Sequence, residues 1–228
     1  MKMEILVDAE ATARRAAAAI AEQGRAAAAA RGRFTLALSG GRTPARMLAL
    51  LADERLPWAV THIFQVDERV APVGSAERNL SAITECLGTR LGQPSAQLHA
   101  MPVDNVDLAA AVAQYGRELE AAAGTPPVLD LVHLGLGADG HTASLVPGDP
   151  VLEVTGSDVA LAGPYLGRRR MTLTLPILNR ARHLLWLVTG RDKALALARL
   201  RAADRAIPAG RVDGERALVL ADATAAGQ

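Results

Sequence analysis

The chain has 228 residues, of which 50% are hydrophobic, 21% are charged and 3% are aromatic. This composition is typical of a globular protein, because the hydrophobic fraction is too high for a disordered chain. No stretch approaches the ~20 apolar residues that a membrane span needs. The formal net charge is +1, so no general field attracts nucleic acid or an anionic membrane, and any anion must be held by a local site.

The length, the cysteine content and the amino terminus indicate how the chain is organised. At ~100–200 residues per domain the length favours one domain, and no linker or repeat divides residues 1–228. Cys86 is the one cysteine, which excludes an intrachain disulfide. The first eight residues lack the apolar core and cleavage site of a signal peptide. We therefore expect a single-domain cytoplasmic protein.

Short apolar runs alternate with helical patterns along the chain. The alanine-rich segment 9–31 predicts one or two helices, with Gly24 as a soft break. The other predicted helices follow Pro44 or cover 78–87 and 193–203, and the predicted strands cover 34–38, 62–66, 129–136, 171–175, 184–188 and 217–220. This alternation predicts an α/β fold of three layers, with a mostly parallel sheet flanked by helices.

Clusters of polar residues follow four of these strands, at 39–43, 67–69, 137–144 and 189–193. Ligands of parallel α/β sheets bind outside the carboxyl ends of the strands. We therefore expect the four clusters to meet in one crevice.

The first cluster has the features of an anion-binding turn. Its two glycines let the backbone approach a ligand, and free N–H groups at a helix start attract a phosphate. Two hydroxyls and one guanidinium add further donors, in the order Ser39-Gly40-Gly41-Arg42-Thr43. An ordinary strand-to-helix turn is the alternative interpretation.

The second cluster, Asp67-Glu68-Arg69, allows two interpretations. Its carboxylates can hold sugar hydroxyls while Arg69 pairs with an anion through its planar fork. The alternative is a salt-bridged turn at the surface.

The third cluster contains the candidate for general-base catalysis. His141 lies in a glycine-bounded loop after an apolar strand, and histidine is the side chain that ordinarily titrates near neutrality. Asp139 either orients the imidazole or contacts the ligand. We expect His133, within the apolar strand, to be a satisfied core residue, and His62 to be structural. No ligand spacing for a metal occurs, and we expect neither a metal nor another cofactor.

The clusters and their surroundings resemble the 6-phosphogluconolactonase family. The matching stretches are LALSGGRTP (36–44), VDERVAP (66–72) with Asn79, DLVHLGLGADGHTASLVPG (130–148), RMTLTLPILNRA (170–181), LVTGRDKA (187–194) and IPAGRV (207–212). The 130–148 stretch is strongly specific. The first stretch and the Gly-x-x-Lys-Ala segment are shared with related sugar-phosphate deaminases and isomerases.

The resemblance implies a fold similar to those of glucosamine-6-phosphate deaminase and ribose-5-phosphate isomerase. It also implies hydrolysis of 6-phospho-D-glucono-1,5-lactone without metal or nucleotide. This small molecule is the expected partner, and we expect the protein to be a monomer, with a dimer as the alternative. By position, His141 resembles the family's general base. The 39–43 loop, Asp67, Arg69 and Lys193, one of only two lysines, resemble its phosphate and substrate contacts.

Two other functions remain open at this stage. Glucosamine-6-phosphate deaminases place a glutamate five residues after the histidine, where this chain has Val146, which cannot transfer a proton. A sugar-phosphate-binding regulator keeps the pocket without turnover, but it typically carries a DNA-binding segment, for which this chain has no spare residues.

Overall fold

The computed structural model describes residues 1–92 and 95–228, and the side chain of Arg42 lies outside the described part. Within these residues the strands are β1 (Lys2–Leu6), β2 (Phe34–Leu38), β3 (Thr61–Gln65), β4 (Asp67–Arg69), β5 (Gln97–His99), β6 (Leu131–Gly135), β7 (Val159–Tyr165), β8 (Arg168–Leu173), β9 (His183–Val188) and β10 (Ala217–Asp222). The α-helices are α1 (Ala9–Arg31), α2 (Arg42–Ala52), α3 (Asn79–Leu87), α4 (Leu108–Ala123), α5 (Leu175–Arg180) and α6 (Ala194–Arg201). Among the described helices, none is long and apolar enough to cross a membrane.

The main sheet has the strand order β1-β10-β9-β6-β2-β3-β5, and its neighbouring strands pair in parallel. One buried apolar cluster joins α1, α2 and α3 to one face of the sheet. A second cluster joins α4, α5 and α6 to the other face. These two helical layers around one sheet confirm the predicted three-layer α/β fold. The fold was predictable because strands buried on both faces leave near-continuous apolar runs in the sequence.

A second, antiparallel sheet has the order β4-β8-β7. The Leu173 N–H donates to the Val66 carbonyl at 2.8 Å, which ties this sheet to the end of β3. The strand predicted at 171–175 is partly confirmed, since 171–173 belong to β8. The prediction was wrong for its last residues, because β8 ends at Leu173 and α5 begins at Leu175. Of the two interpretations of 67–69, the surface turn is wrong, because those residues form the largely buried strand β4.

Helix α1 runs without interruption through Gly24. Asp8 caps its start by accepting the Ala11 N–H at 2.7 Å, and Gly32 ends it in the left-handed conformation. A Cβ at Gly24 would stand 2.6 Å from Leu56 Cδ1. The glycine therefore permits close packing of the helix on its neighbour and does not break it.

Candidate active site

A cleft of about 420 Å³ lies at the carboxyl ends of β2, β6 and β9. All four polar clusters of the sequence reach it. Its lining includes Ser39, Gly40, Gly41 and Thr43 from the first cluster, Asp67 and Arg69 from the second, Gly137 and His141 from the third, and Thr189 and Lys193 from the fourth. The fold thus brings together residues that are up to 154 positions apart, counted from Ser39 to Lys193.

Asp139 and His141, which we call the dyad, lie in the loop that follows β6. The Asp139 Oδ1 atom is 2.6 Å from His141 Nδ1 and accepts the His141 backbone N–H at 3.1 Å. Burial acts to raise the pKa of Asp139. The hydrogen bonds from the backbone and ring of His141, together with its charge, have a larger opposite effect, so the pKa of Asp139 lies below its usual value. The ionised carboxylate therefore holds Nδ1 as the donor, which leaves Nε2 as the free basic nitrogen.

Two glycines shape the loop that carries the dyad. A Cβ on Gly137 would stand 2.1 Å from His141 Nδ1, so only glycine lets the ring fold back over this position. Gly140 has a φ of +85°, and a Cβ there would also stand 2.6 Å from Ile207. The loop closes through the Gly137 N–H, which donates to the His141 carbonyl at 2.8 Å.

The 39–43 loop leads from β2 into α2. Gly41 is the residue before the helix, has a φ of +112° and provides no side-chain cap, so the helix start faces the cleft with its own N–H groups. A Cβ on Gly40 would stand 2.5 Å from Asn79. Thr43 lines the cleft, whereas the predicted contact through Arg42 lies outside the described side chains.

Ser39 is buried at the beginning of this loop. Its Oγ donates to the His133 carbonyl at 2.9 Å, and its backbone N–H donates to His133 Nδ1 at 3.4 Å. The hydroxyl hydrogen therefore points towards β6, and Ser39 Oγ can serve a ligand as an acceptor only.

Asp67 is buried at the floor of the cleft. Its carboxylate accepts the Ser144 hydroxyl at 2.6 Å and the Asn79 side-chain N–H at 3.1 Å. Burial raises its pKa despite the hydrogen bond from Ser144 and the charge of Arg170. These contacts leave Asp67 less free to hold sugar hydroxyls than the sequence suggests.

Glu68 does not line the cleft, and its predicted role in holding sugar hydroxyls was wrong. The side chain is fully buried and accepts the first N–H groups of α3, from Asn79 at 2.7 Å and from Leu80 at 2.8 Å. It also accepts the Gln65 side-chain N–H at 2.8 Å. Glu68 therefore replaces the missing side-chain cap of α3 and fixes Asn79 beside the cleft.

Arg170 and Tyr165 are among the cleft residues that received no role in the sequence analysis. Arg170 lies directly opposite Arg69 in the β4–β8 pair, 3.9 Å from the Asp67 carboxylate and 5.1 Å from the centre of the Tyr165 ring. Burial lowers its pKa from the usual high value. Tyr165 donates to Asp139 Oδ2 at 3.3 Å, and its ring meets His141 edge-on at 5.2 Å. Arg170 begins one of the resembling stretches; Tyr165 has no sequence signal.

Three cations are found among the described side chains that line the cleft, Arg69, Arg170 and Lys193, and we call them the cationic set. Arg69 donates to Asn79 Oδ1 at 2.8 Å, and Lys193 Nζ is 3.0 Å from Asp192 Oδ2. Like charges opposite one another on paired strands are unfavourable without an anion between them. The arrangement is therefore suited to a negatively charged ligand.

The remaining histidine predictions gave mixed results. His62 Nδ1 is 3.1 Å from His99 Nε2 and lies outside the cleft lining. His133 is fully buried, as expected, and burial lowers its pKa to about 4. The expectation that its hydrogen bonds are satisfied was wrong, because Nε2 has no partner in the described part of the protein.

Comparison with known proteins gives consistent relatives. A family model described as glucosamine-6-phosphate isomerases/6-phosphogluconolactonase matches residues 7–220. A 6-phosphogluconolactonase from Synechocystis is 36% identical over 203 residues, 87% of this chain and 84% of that protein. The crystal structure of 6-phosphogluconolactonase from Thermotoga maritima has a TM-score of 0.85 at 28% identity and covers 97% of this chain and 98% of its own. A monomeric glucosamine-6-phosphate deaminase has a TM-score of 0.83 at 18% identity, covers 100% and 99%, and shares the fold, as predicted.

Proposed function

The chain belongs to the glucosamine-6-phosphate isomerase/6-phosphogluconolactonase family, and from that premise we propose that it hydrolyses 6-phospho-D-glucono-1,5-lactone to 6-phosphogluconate. The observation that carries the proposal is the meeting of His141 and the cationic set in one cleft, while Asp139, which does not line the cleft, contacts His141 Nδ1 at 2.6 Å. A base is needed to activate water, and cations are needed to hold a phosphorylated substrate.

His141 is the general base of the proposed reaction. Its Nε2 takes a proton from a water molecule as the water oxygen bonds to C1 of the lactone, whose carbonyl becomes an oxyanion. As the oxyanion collapses, the bond between C1 and the ring oxygen breaks, and the proton on Nε2 passes to the leaving ring oxygen. Asp139 stabilises the imidazolium between the two transfers through its 2.6 Å contact with Nδ1. A δ-lactone is an activated ester, so no covalent intermediate is required.

The phosphate is bound by the 39–43 loop and by the cationic set. The helix start at Gly41 offers backbone N–H groups and a partial positive charge. Arg69 and Arg170 offer planar donors from adjacent strands, and Lys193 offers a compact ammonium. Binding energy from this remote group positions the ring against His141, which is how a non-reacting phosphate accelerates the reaction.

Val146 weighs against the deaminase alternative. It is half-buried, it does not line the cleft and its side chain has no proton to exchange. Among the cleft-lining side chains that the structure describes, Asp67 is the one carboxylate, and both of its oxygens already accept hydrogen bonds. The proposed enzyme therefore lacks a free group for the proton relay of ring opening.

The proposal extends to the whole chain, with residues 1–228 acting as one domain in the cytoplasm, as a monomer or alternatively a dimer. Size-exclusion chromatography with light scattering distinguishes the two oligomeric states.

The test is a comparison of three substrates with purified protein. We expect rapid acid release from 6-phospho-D-glucono-1,5-lactone, slower release from unphosphorylated gluconolactone and no ammonia from glucosamine 6-phosphate. The spontaneous rate of lactone opening is subtracted in each case. Ammonia release at a comparable rate would instead identify a deaminase. Tight binding of 6-phosphogluconate without turnover of any substrate would identify a non-catalytic sugar-phosphate-binding protein.

A further inference from the structure

His133 is a fully buried histidine in the middle of β6, and the reaction above makes no use of it. Its neighbours Val132 and Leu134 contribute to the apolar cluster on one face of the sheet. Successive side chains of a strand point to opposite faces of the sheet, so His133 shares the face of Leu131. Leu131 belongs to the apolar cluster that includes α1 and α2, and His133 therefore lies on that side. Apolar residues ordinarily fill such positions.

The ring of His133 lies where β2 leaves the sheet. The described β2–β6 pairing extends to Ala37 and Val132, while β6 continues beside β9 as far as Gly135. Ser39 comes just beyond this point, and its N–H donates to His133 Nδ1 while its hydroxyl donates to the His133 carbonyl. Both hydrogen-bond donors of Ser39 are thus held by one residue of the neighbouring strand.

These contacts determine the tautomer of the ring. A backbone N–H can only donate, so Nδ1 must be the acceptor and the ring hydrogen must be on Nε2. That Nε2–H group is buried and has no partner in the described part of the chain. An unsatisfied buried donor lowers the stability of the folded state. A leucine here would avoid that cost, so stability does not explain what the histidine contributes.

We propose that His133 is a positioning residue, which fixes the 39–43 loop in the conformation that receives the substrate phosphate. Gly40 packs against Asn79 on the other side of the loop, so the loop is held between β6 and α3. Loss of the Nδ1 acceptor leaves the loop tied to β6 by the Ser39 hydroxyl bond to the His133 carbonyl, and this weaker attachment shifts the N–H groups at the start of α2. The inference rests on the proposed binding of a phosphorylated lactone.

Three variants separate positioning from packing. His133→Leu removes the acceptor but keeps an apolar filling. His133→Asn keeps an oxygen acceptor close to the position of Nδ1. Val132→Ala is the matched control, since Val132 is also fully buried in β6 but contributes to the opposite face. For each variant, KM is measured for the phosphorylated and the unphosphorylated lactone, and the melting temperature is recorded.

We expect His133→Leu to raise KM for the phosphorylated lactone about 5- to 10-fold, as for the loss of one hydrogen bond, with KM for gluconolactone unchanged. Its melting temperature equals or exceeds that of the wild type. His133→Asn restores most of the phosphate preference. Val132→Ala lowers the melting temperature and leaves the ratio of the two KM values unchanged.

Several results would overturn the role of His133. These are an unchanged KM ratio in His133→Leu, no rescue by His133→Asn, or an equal change of the ratio in Val132→Ala. Nitrogen-15 NMR of the wild type gives a test that needs no variant, because a hydrogen on Nδ1 is incompatible with the Ser39 contact. A wild-type enzyme without any preference for the phosphorylated lactone would contradict the proposed function itself, and this is seen before the variants are compared.

Discussion

The dyad and the cationic set differ in how the fold assembles them. Asp139 and His141 are two residues apart in one loop, and their contact depends on the local turn at Gly137 and Gly140. The members of the cationic set come from β4, β8 and the turn after β9, and their positions depend on pairing between distant segments. A base can thus be built from a few neighbouring residues, whereas an anion site of this kind needs the whole fold. The proposed function assigns the two sets separate kinetic contributions, which mutations can distinguish.

The largest expected effect comes from the dyad. His141→Asn should lower kcat by ~10²–10⁴, the usual contribution of a general base. Binding of 6-phosphogluconate should stay within about twofold of the wild type, since the cationic set is intact and only a differential interaction affects the chemical step. Rates are measured after subtraction of spontaneous hydrolysis, and binding is measured by calorimetry. Retention of more than about a third of kcat by the folded variant, far outside that range, would show that His141 is not the base.

A change in the cationic set should affect KM instead. Lys193→Ala removes the charged hydrogen bond to the phosphate that we propose, which corresponds to ~1.5–3 kcal/mol, or roughly 10- to 150-fold in KM for the phosphorylated lactone. KM for unphosphorylated gluconolactone should stay the same. The other lysine provides the matched control, because Lys2 is exposed at the edge strand β1 and its replacement by alanine should change neither value. Equal losses on both substrates in Lys193→Ala would mean that Lys193 does not bind the phosphate.

The contrast between local and long-range assembly also explains which parts of the fold and the site can be predicted from the sequence. Strands such as β6 and β9 are buried on both faces, so their continuous apolar runs predict the parallel sheet and the four polar clusters at its edge. The glycine-bounded loop likewise indicates His141. Tyr165 is missed because no strand is predicted at 159–165, and Arg170 is missed because the strand predicted at 171–175 begins one residue after it. The spatial neighbours of both residues are distant in sequence. Arg170 lies 3.9 Å from the carboxylate of Asp67, 103 residues earlier, and Tyr165 donates to Asp139, 26 residues earlier.

Short or weakly patterned elements are also missed. No element is predicted for β1, β5 or α4, and two of these are edge strands of the main sheet. Helix α4 carries Gly116 in its middle, which weakens its helical pattern despite the many alanines. The wrong role for Glu68 has a similar origin, since a carboxylate that caps a helix 11 residues later is indistinguishable in sequence from one that faces a ligand.

A smaller effect is expected at His133, which lies in the strand that leads to the dyad loop and contacts Ser39 of the 39–43 loop. Its pKa is lowered to about 4 in the folded state, against about 6.5 in an unfolded chain, so only the unfolded state takes up the proton between these values. Its contribution to stability is complete above pH 6.5 and is lost as the pH falls towards 4. Between pH 7 and pH 5 the loss is about 2 kcal/mol.

The measurement is urea unfolding of the wild type and of His133→Asn at both pH values. The other histidines titrate equally in the two proteins, so the difference between the two pH-dependent losses isolates His133. We expect the wild type to lose about 2 kcal/mol more than the variant. Equal losses would mean that the ring takes up its proton in the folded protein as readily as in the unfolded chain, so that it is not buried as the acceptor of the Ser39 N–H.

The smallest predicted effect is at Tyr165, which is the contact between the dyad and the cationic set. Tyr165→Phe removes the hydroxyl that donates to Asp139 Oδ2 at 3.3 Å but keeps the ring between Arg170 and His141. Asp139 keeps its 2.6 Å contact with His141 Nδ1 in this variant. The imidazole therefore retains its carboxylate partner, and only the hydrogen bond that helps to hold that carboxylate in place is lost. A net loss of about 1 kcal/mol corresponds to roughly a fivefold lower kcat, with KM and the melting temperature unchanged. An unchanged kcat would show that the dyad is oriented without the hydroxyl. A loss as large as that of His141→Asn would show that the hydroxyl takes part in the chemical step, and the separation between base and anion site would then no longer hold at this residue.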